Sequence, residues 1–433
     1  MRSRGKKSRH QGRRANQHES NEIVTALYAD GDGEIYDAPN VAALAKIGND
    51  IVELTADDLI PLPPNSELML LPGRLAMGRL PNGEAMPLSG TAVAAMLPVG
   101  YTRTHLPAFK KDSDDAAMLP LYGYTAVALY HDEICAAAVY TDENDKWEPH
   151  HYNTDALKKL IDNVKRELPN NRLVDHLAHC SLEYHCQTAQ NLFYHRWEAG
   201  IPVSPACNAN CLGCISLQPA ECCPSPQSRI AFRPTAEEVA GIGAYHLSSA
   251  PDAIISFGQG CEGEPSLEAG IIADAIKLIR ARTKNGEINI NSNAGYTEGI
   301  KKIVDAGLDT IRVSIISARA ESYEAYYRSS YSLDDVKASI RYCLDNGVYV
   351  SLNLLYFPGF NDRPEEISAW QKFLNEYKVH MIQMRNLNFD PDVFLASMPK
   401  ESEAPLGTKR FLKSIRESCP EIFIGSFSHY HKK

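Results

Sequence analysis

The chain has 433 residues, enough for two or three domains around a large core, and a formal net charge of -10. Residues 1–20 carry seven Lys or Arg against one acid, so the remainder is acidic, which argues against nucleic-acid binding by the body. Without an apolar run of membrane-spanning length or a secretory signal, and with eleven irregularly spaced cysteines, we expect a cytoplasmic protein with no membrane partner.

The first 150 residues predict a tail followed by a small accessory domain. Residues 1–20 have the composition of a disordered basic tail, which is more often simply solvated than bound to nucleic acid. Residues 21–150 contain short apolar runs separated by Pro and Gly, a pattern that indicates a β-rich accessory domain. Within it, the runs 125–130 and 134–140 predict a β-hairpin.

Residues 151–199 predict a helical connector. Apolar residues recur at helical spacing over 154–168, and a second helical stretch covers about 172–198. The second stretch is rich in soft metal ligands, namely His176, His179, Cys180, His185, Cys186 and His195. They indicate either a second metal site or a helix that packs on the next domain with its polar side outward. We favour the packed helix, because helical spacing alone does not make these groups converge.

From residue 200 onward, short β-rich runs alternate with helical patterns. The predicted strands are 201–204, 253–257, 288–291, 310–316, 348–355 and 380–385. Strands and helices that alternate in this way predict an α/β fold with a parallel sheet. Six βα units over 200–390 would form a partial TIM-like barrel, with reactive groups at the C-terminal ends of its strands. Residues 391–433, with a helix over 407–418, are predicted to cap this barrel.

The loop after the first predicted strand holds three thiols, Cys207, Cys211 and Cys214, at a C-x3-C-x2-C spacing. Thiolates this close usually share a metal or a cluster, because a tight loop can turn several sulfurs inward. A closed zinc site would need a fourth ligand, which Cys222 or Cys223 would have to supply. A four-iron cluster would instead leave one iron free to bind a small molecule.

This loop closely resembles the signature of the radical S-adenosylmethionine (SAM) superfamily. The resemblance implies that the three cysteines ligate three irons of a [4Fe-4S] cluster and that SAM chelates the fourth. It continues in Glu262-Gly263-Glu264-Pro265, which is similar to the family's Gly-Gly-Glu-Pro with the first glycine replaced. In the family this segment holds the methionine amino group of SAM, so Gly263 and Glu264 are candidate SAM-binding residues. The alternative is an ordinary strand-to-helix turn.

Three further strand ends carry looser matches. Ser292 and Asn293 lie in a segment that resembles the family's Thr-Asn-Gly, and short polar groups there can bind ribose hydroxyls. Ser314 matches a serine that faces SAM in the family. Arg385 is a candidate anchor for a carboxylate of SAM or of the substrate, or else a member of an ordinary ion pair. Polar residues are common in loops, so each match also has that plain interpretation.

Other cysteines have open roles. Cys261 lies inside the SAM-type turn and is a candidate catalytic hydrogen-atom donor or a ligand of an auxiliary cluster. Cys222 and Cys223, just after the cluster loop, and Cys180 and Cys186 in the connector are also candidate auxiliary ligands. Free cysteine is otherwise often inert.

The resemblance implies an enzyme. In that family a reduced cluster cleaves SAM to methionine and a 5′-deoxyadenosyl radical, which abstracts a hydrogen atom from a substrate that these residues do not identify. A low-potential electron donor of the ferredoxin or flavodoxin type is the implied partner. The alternative is a non-enzymatic zinc or iron–sulfur module, structural or electron-carrying, which would have no use for a six-unit barrel.

Overall fold

The computed structural model describes residues 23–143, 145–218, 225–400 and 403–431. Its strands form one antiparallel sheet in the N-terminal third and one parallel sheet in the rest of the chain. The predicted α/β fold with a mostly β N-terminal region is therefore confirmed. The predicted basic tail and the Cys222-Cys223 pair lie outside the described residues.

The N-terminal sheet has eleven strands, all paired antiparallel. They are β1 (Thr25–Ala29), β2 (Ile35–Ile47), β3 (Asp50–Glu53), β4 (Leu59–Pro61), β5 (Glu67–Arg79), β6 (Ala85–Met96), β7 (Tyr101–Arg103), β8 (Leu106–Pro107), β9 (Phe109–Lys111), β10 (Thr125–Tyr130) and β11 (Glu133–Tyr140). The main path of the sheet is β3-β2-β5-β6-β1-β10-β11-β4. The predicted hairpin is confirmed in β10 and β11. Its two turn residues, His131 and Asp132, have φ of 53° and 59°, as a type I′ turn requires.

Three helices connect the sheets: α1 (Leu157–Glu167), α2 (Arg172–Glu183) and α3 (Gln187–Phe193). The prediction of one continuous helix over 172–198 is wrong. His185 adopts a left-handed conformation, with φ of 52°, and this breaks the helix before Cys186 becomes the N-cap residue of α3. The chain then enters a strand at Glu198.

Seven parallel strands form the second sheet, in sequence order. They are β12 (Glu198–Gly200), β13 (Ile254–Phe257), β14 (Glu287–Ser292), β15 (Thr310–Ile315), β16 (Tyr349–Tyr356), β17 (Met381–Asn386) and β18 (Phe423–Gly425). Helices follow them: α4 (Ala236–Ser249), α5 (Ala269–Arg282), α6 (Thr297–Asp305), α7 (Ala320–Tyr327), α8 (Leu333–Asp345), α9 (Pro364–Tyr377), α10 (Pro391–Ser397) and α11 (Thr408–Ser418). Within the described ranges β12 and β18 do not pair with each other, so the barrel is partial.

The barrel differs from the prediction at both ends. The first strand lies at Glu198–Gly200 and not at 201–204. Pro202 has no N–H group to donate to a neighbouring strand, and the N–H groups of Val203 and Ser204 donate to the Glu262 side chain instead. The seventh strand, β18, comes from the segment predicted as a cap, and it pairs in parallel with β17. Three residues are too few for periodicity to reveal a strand.

The two sheets belong to one packed body. The buried Arg74 side chain of β5 pairs with Asp390, the N-cap residue of α10, at 3.1 Å. At the top of the barrel, Gly48 N–H donates to the Pro358 carbonyl at 3.2 Å. Of the helices that the structure describes, each is too short or too polar to cross a bilayer.

Candidate active site

The cluster loop, residues 207–214, follows β12 and is held from two sides. On one side, Gly263 N–H donates to the Ser204 carbonyl at 2.7 Å, and Glu264 N–H donates to the Ala206 carbonyl at 2.8 Å. On the other side, the loop's own N–H groups donate to carbonyls at the end of α7, from Asn210 to Tyr327 at 2.9 Å and from Leu212 to Tyr326 at 3.1 Å. Backbone hydrogen bonds therefore fix the loop and the segment that leads into it, on one side to the turn after β13 and on the other to α7.

Gly263 is required by a close backbone approach. A Cβ atom at this position would lie 1.9 Å from the Ala206 carbonyl oxygen and 3.1 Å from the Cys207 nitrogen. No side chain can occupy that space, so glycine allows the turn to stack directly on the start of the cluster loop.

Glu262 fixes the same turn through its side chain. Its buried carboxylate accepts four backbone N–H groups, from Val203 (2.8 Å), Ser204 (3.0 Å), Gly258 (2.7 Å) and Gln259 (2.8 Å). Burial raises the pKa of this carboxyl to about 7, against the opposing effect of the N–H donors. In the sequence, Glu262 is notable only because it replaces the first glycine of the family motif. In the structure it joins the segment before the cluster loop to the turn after β13.

Glu264 connects the turn to the next strand end. Its buried carboxylate accepts from Ser292 Oγ at 2.6 Å and from Asn293 N–H at 2.9 Å. Burial raises the pKa of Glu264. Asn293 in turn donates from Nδ2 to Asn208 Oδ1 at 2.7 Å, inside the cluster loop. Three of the predicted SAM-binding residues thus form one hydrogen-bonded network with the loop of the three thiols.

The charge and spacing of the three thiols of the cluster loop indicate which kind of metal centre they could bind. Burial, together with negative charge on Cys207 and Cys214, raises the pKa of the Cys211 thiol, so a positive centre is needed to deprotonate Cys211. Arg229 Nη2 lies 3.8 Å from Cys214 Sγ and contributes one positive charge. The three sulfur atoms do not all lie within 4.8 Å of one another, unlike the one group of described residues that meets this criterion for a single metal ion. The donor set therefore fits a multi-iron cluster better than a single zinc ion.

A layer of tyrosines packs beneath the cluster loop. Tyr323 and Tyr327 stack with ring centroids 4.3 Å apart, and the loop's Gly213 lies against the hydroxyl of Tyr326. Burial raises the pKa of all three phenols, and negative charge on Cys211 adds to the shift. The hydroxyls therefore stay protonated, and the rings keep water from that side of the loop.

These groups open into a cavity of about 680 Å³ at the C-terminal ends of the strands. Nine of the ten predicted site residues line it: Cys207, Cys211, Cys214, Gly263, Glu264, Ser292, Asn293, Ser314 and Arg385. Val99 of the N-terminal region and Trp147 also line the cavity. The sequence missed both, because neither belongs to a recognisable motif.

The far wall of the cavity carries two guanidinium groups. Arg312 pairs with Glu198 at 2.6 Å, whereas Arg385 donates from Nη2 to the neutral Gln383 Oε1 at 2.9 Å. Burial and the charge of Arg312 lower the pKa of Arg385 to about 10, so it still carries a proton near neutral pH. With one carboxylate to two guanidiniums, this wall has a net positive charge that suits an anion.

The tenth predicted residue, Cys261, lies elsewhere. Its buried thiol does not line the cavity and instead faces the connector, beside Cys180 and His176. The structure therefore gives Cys261 a different set of neighbours from the other predicted site residues.

Comparisons with known proteins give one family match and several distant similarities. Residues 201–370 match the family described as the Radical SAM superfamily. An uncharacterized protein of Methanocaldococcus jannaschii is 29% identical over 118 residues, which span 27% of this chain and 39% of that protein. A solved methylornithine synthase covers 61% of this chain and 78% of its own at 16% identity, with a TM-score of 0.37. A radical SAM methyltransferase from Sphaerobacter thermophilus covers 83% and 76% at 11% identity, also with a TM-score of 0.37.

Proposed function

Residues 201–370 belong to the radical SAM superfamily, a family of enzymes, and on this basis we propose that the protein is a radical SAM enzyme. One observation carries the proposal. The three thiols of the cluster loop and the network of Glu264, Ser292 and Asn293 line the same cavity at the C-terminal edge of a parallel sheet. This is the edge where barrels of this kind place their reactive groups.

Cys207, Cys211 and Cys214 would hold a [4Fe-4S] cluster. The chemistry that the cluster and SAM supply when bound is reductive cleavage of the sulfonium and abstraction of a hydrogen atom from the substrate. The chain itself holds the loop through the backbone hydrogen bonds at Ala206 and Tyr327, and it excludes water through the tyrosine layer.

SAM would be held by the turn and the two strand ends. Gly263 lets the turn lie directly against the segment that enters the cluster loop, and Glu264 fixes the end of β14. Ser292, Asn293 and Ser314 offer short polar groups for ribose or methionine atoms. Arg385 would anchor a carboxylate of SAM or of the substrate, because it keeps its charge and has a neutral partner.

Electrons would come from a low-potential donor of the ferredoxin or flavodoxin type. The Cys207 side of the loop is exposed, which leaves a route from solvent to the cluster position.

The first test is anaerobic purification with iron analysis, followed by dithionite, SAM and chromatography for 5′-deoxyadenosine. We expect about four irons per chain and formation of the product. Cys211→Ala should lose most of the iron and abolish the product, because it removes a ligand at the centre of the loop. The matched control is Cys343→Ala, which removes a buried thiol of α8 far from the cavity and should retain both.

Two outcomes would overturn the proposal. Retained SAM cleavage in Cys211→Ala would show that the loop does not bind the catalytic cluster. A wild-type chain whose cluster loop binds zinc and no iron, and which forms no product, would make the loop structural and would favour the non-enzymatic module.

A further inference from the structure

A second group of soft ligands converges behind the SAM-type turn. His176 and Cys180 lie four residues apart on α2 and therefore share a face of that helix. Cys261 reaches them from the turn after β13. His Nε2 or Nδ1 and the two sulfurs all lie within 4.8 Å of one another, and both thiols are buried.

The dimensions match a single tetrahedral ion. His176 Nε2 lies 3.6 Å from Cys180 Sγ. With zinc–nitrogen and zinc–sulfur bonds of about 2.0 and 2.3 Å, neighbouring ligand atoms in a zinc tetrahedron are roughly 3.6 Å apart. Thiolate and imidazole are also the donors that Zn²⁺ prefers in closed structural sites.

The surrounding backbone holds these groups in place. Ile230 N–H donates to the Cys261 carbonyl at 2.7 Å, and Cys186 N–H donates to the Cys180 carbonyl at 3.0 Å. The second contact brings the N-cap residue of α3 next to the group.

We propose that His176, Cys180 and Cys261 bind a structural Zn²⁺ ion, with the neighbouring Cys186 or a water molecule at the fourth position. This ion would join the helical connector to the turn that carries Glu262, Gly263 and Glu264. The proposal does not depend on the cluster loop, which lies on the other side of the turn, or on the proposed reaction. Its failure would leave the catalytic proposal untouched.

The test measures zinc in a background without the cluster loop thiols. The variant Cys207→Ala/Cys211→Ala/Cys214→Ala, purified anaerobically and dialysed against a weak chelator, should keep about one zinc per chain. Adding His176→Ala should reduce the retained zinc at least about tenfold, because a ligand is lost. His176 is partly exposed, so the fold should survive, and His179→Ala, an exposed histidine one turn away, is the matched control that should keep the ion.

A second measurement uses Co²⁺ in place of zinc. Thiolate ligands give Co²⁺ intense charge-transfer absorption, which should appear in the triple variant and disappear when Cys180→Ser is added. Adding Cys343→Ala instead should leave it unchanged. Equal zinc in the His176 and His179 variants, or absence of both zinc and the cobalt absorption in the triple variant, would overturn the site. So would a mass about 2 Da below that of the reduced chain, with Cys180 and Cys261 joined in one peptide, since that pair would then be a disulfide.

Discussion

At position 263, a single added Cβ atom would disturb the contact between the turn and the cluster loop. Gly263→Ala would place a Cβ 1.9 Å from the Ala206 carbonyl oxygen, so the turn and the cluster loop must separate. A displacement of about 1 Å near reacting groups can cost roughly 100-fold in rate. We therefore expect 5′-deoxyadenosine formation to fall by one to two orders of magnitude, roughly, while the three cysteines still bind iron.

The control is Gly270→Ala in α5, where only the flexible tip of Lys302 lies within 4 Å of the new Cβ. That variant should keep full activity and gain about 0.5–1 kcal/mol in unfolding free energy, because alanine suits a helix better than glycine. Equal activity in the two variants would contradict the close approach at residue 263.

Glu262 gives a pH dependence whose sign follows from its burial. Its folded pKa of about 7 exceeds the reference value of 4.5, so the folded state holds a proton that the unfolded state releases between these values. Wild type should therefore lose stability relative to Glu262→Gln as the pH rises from about 4.5 to 7, at about 1.4 kcal/mol for each unit of pKa difference.

The measurement is the unfolding free energy of both proteins in urea from pH 4 to 8. At low pH the glutamine variant should be the less stable one, by about 1–3 kcal/mol, because its amide nitrogen cannot accept from the N–H groups that the carboxyl oxygens bind. A difference that does not vary with pH would mean that the four N–H donors cancel the effect of burial, and a wild type that gains stability relative to the variant as the pH rises would mean that they outweigh it. Glu298→Gln on the surface of α6 is the control, because it makes the same substitution at an exposed carboxylate.

Local sequence could not assign these contacts. The Gly263 position was predicted from a resemblance, but the reason for it, the Ala206 carbonyl, lies far back along the chain. Glu262 stands where the resembled family has a glycine, and the sequence gives it no role, because its partners Val203 and Ser204 come about sixty positions earlier and only the fold brings them together.

At the scale of elements, the Arg74–Asp390 pair joins the N-terminal sheet to the barrel. Both side chains are almost fully buried, and Asp390 also accepts from Leu119 N–H and caps α10. Asp390→Ala would leave the Arg74 charge without its partner, so we expect a loss of about 3–5 kcal/mol in unfolding free energy.

Chemical denaturation would measure this loss. The control is Asp274→Ala, which breaks an exposed pair with Lys277 on α5 and should cost less than about 1 kcal/mol. Comparable losses in both variants would show that the pair between the sheets does not hold them together.

The elements also show what periodicity can and cannot reveal. Alternating apolar runs predicted five of the seven barrel strands near their observed positions, because each is long enough to show a pattern. Strand β18 was missed at three residues, and the break at His185 depends on one backbone conformation. The ligand-rich stretch over 172–198 was interpreted as a packed helix, because the residue that completes the group, Cys261, lies far along the chain in another element.

For the molecule as a whole, the N-terminal part of the chain helps to enclose the cavity. Val99 and Trp147 line it, and the Trp147 ring meets Trp197 edge to face at 5.3 Å. SAM that enters the cavity should therefore change tryptophan fluorescence. Trp147→Phe should remove most of that change, whereas Trp370→Phe, buried on α9, should retain it. A full response in the Trp147 variant would place SAM away from this wall.

The turn from Gly258 to Pro265 belongs to both proposed sites, with Cys261 facing the connector and Gly263 and Glu264 facing the cavity. A shared rigid segment makes the two binding equilibria interdependent. If a metal ion behind the turn increases the affinity for SAM by some factor, bound SAM must increase the affinity for that metal ion by the same factor. The oxidation and metal status of the connector would then set the sensitivity of the active site to its cosubstrate.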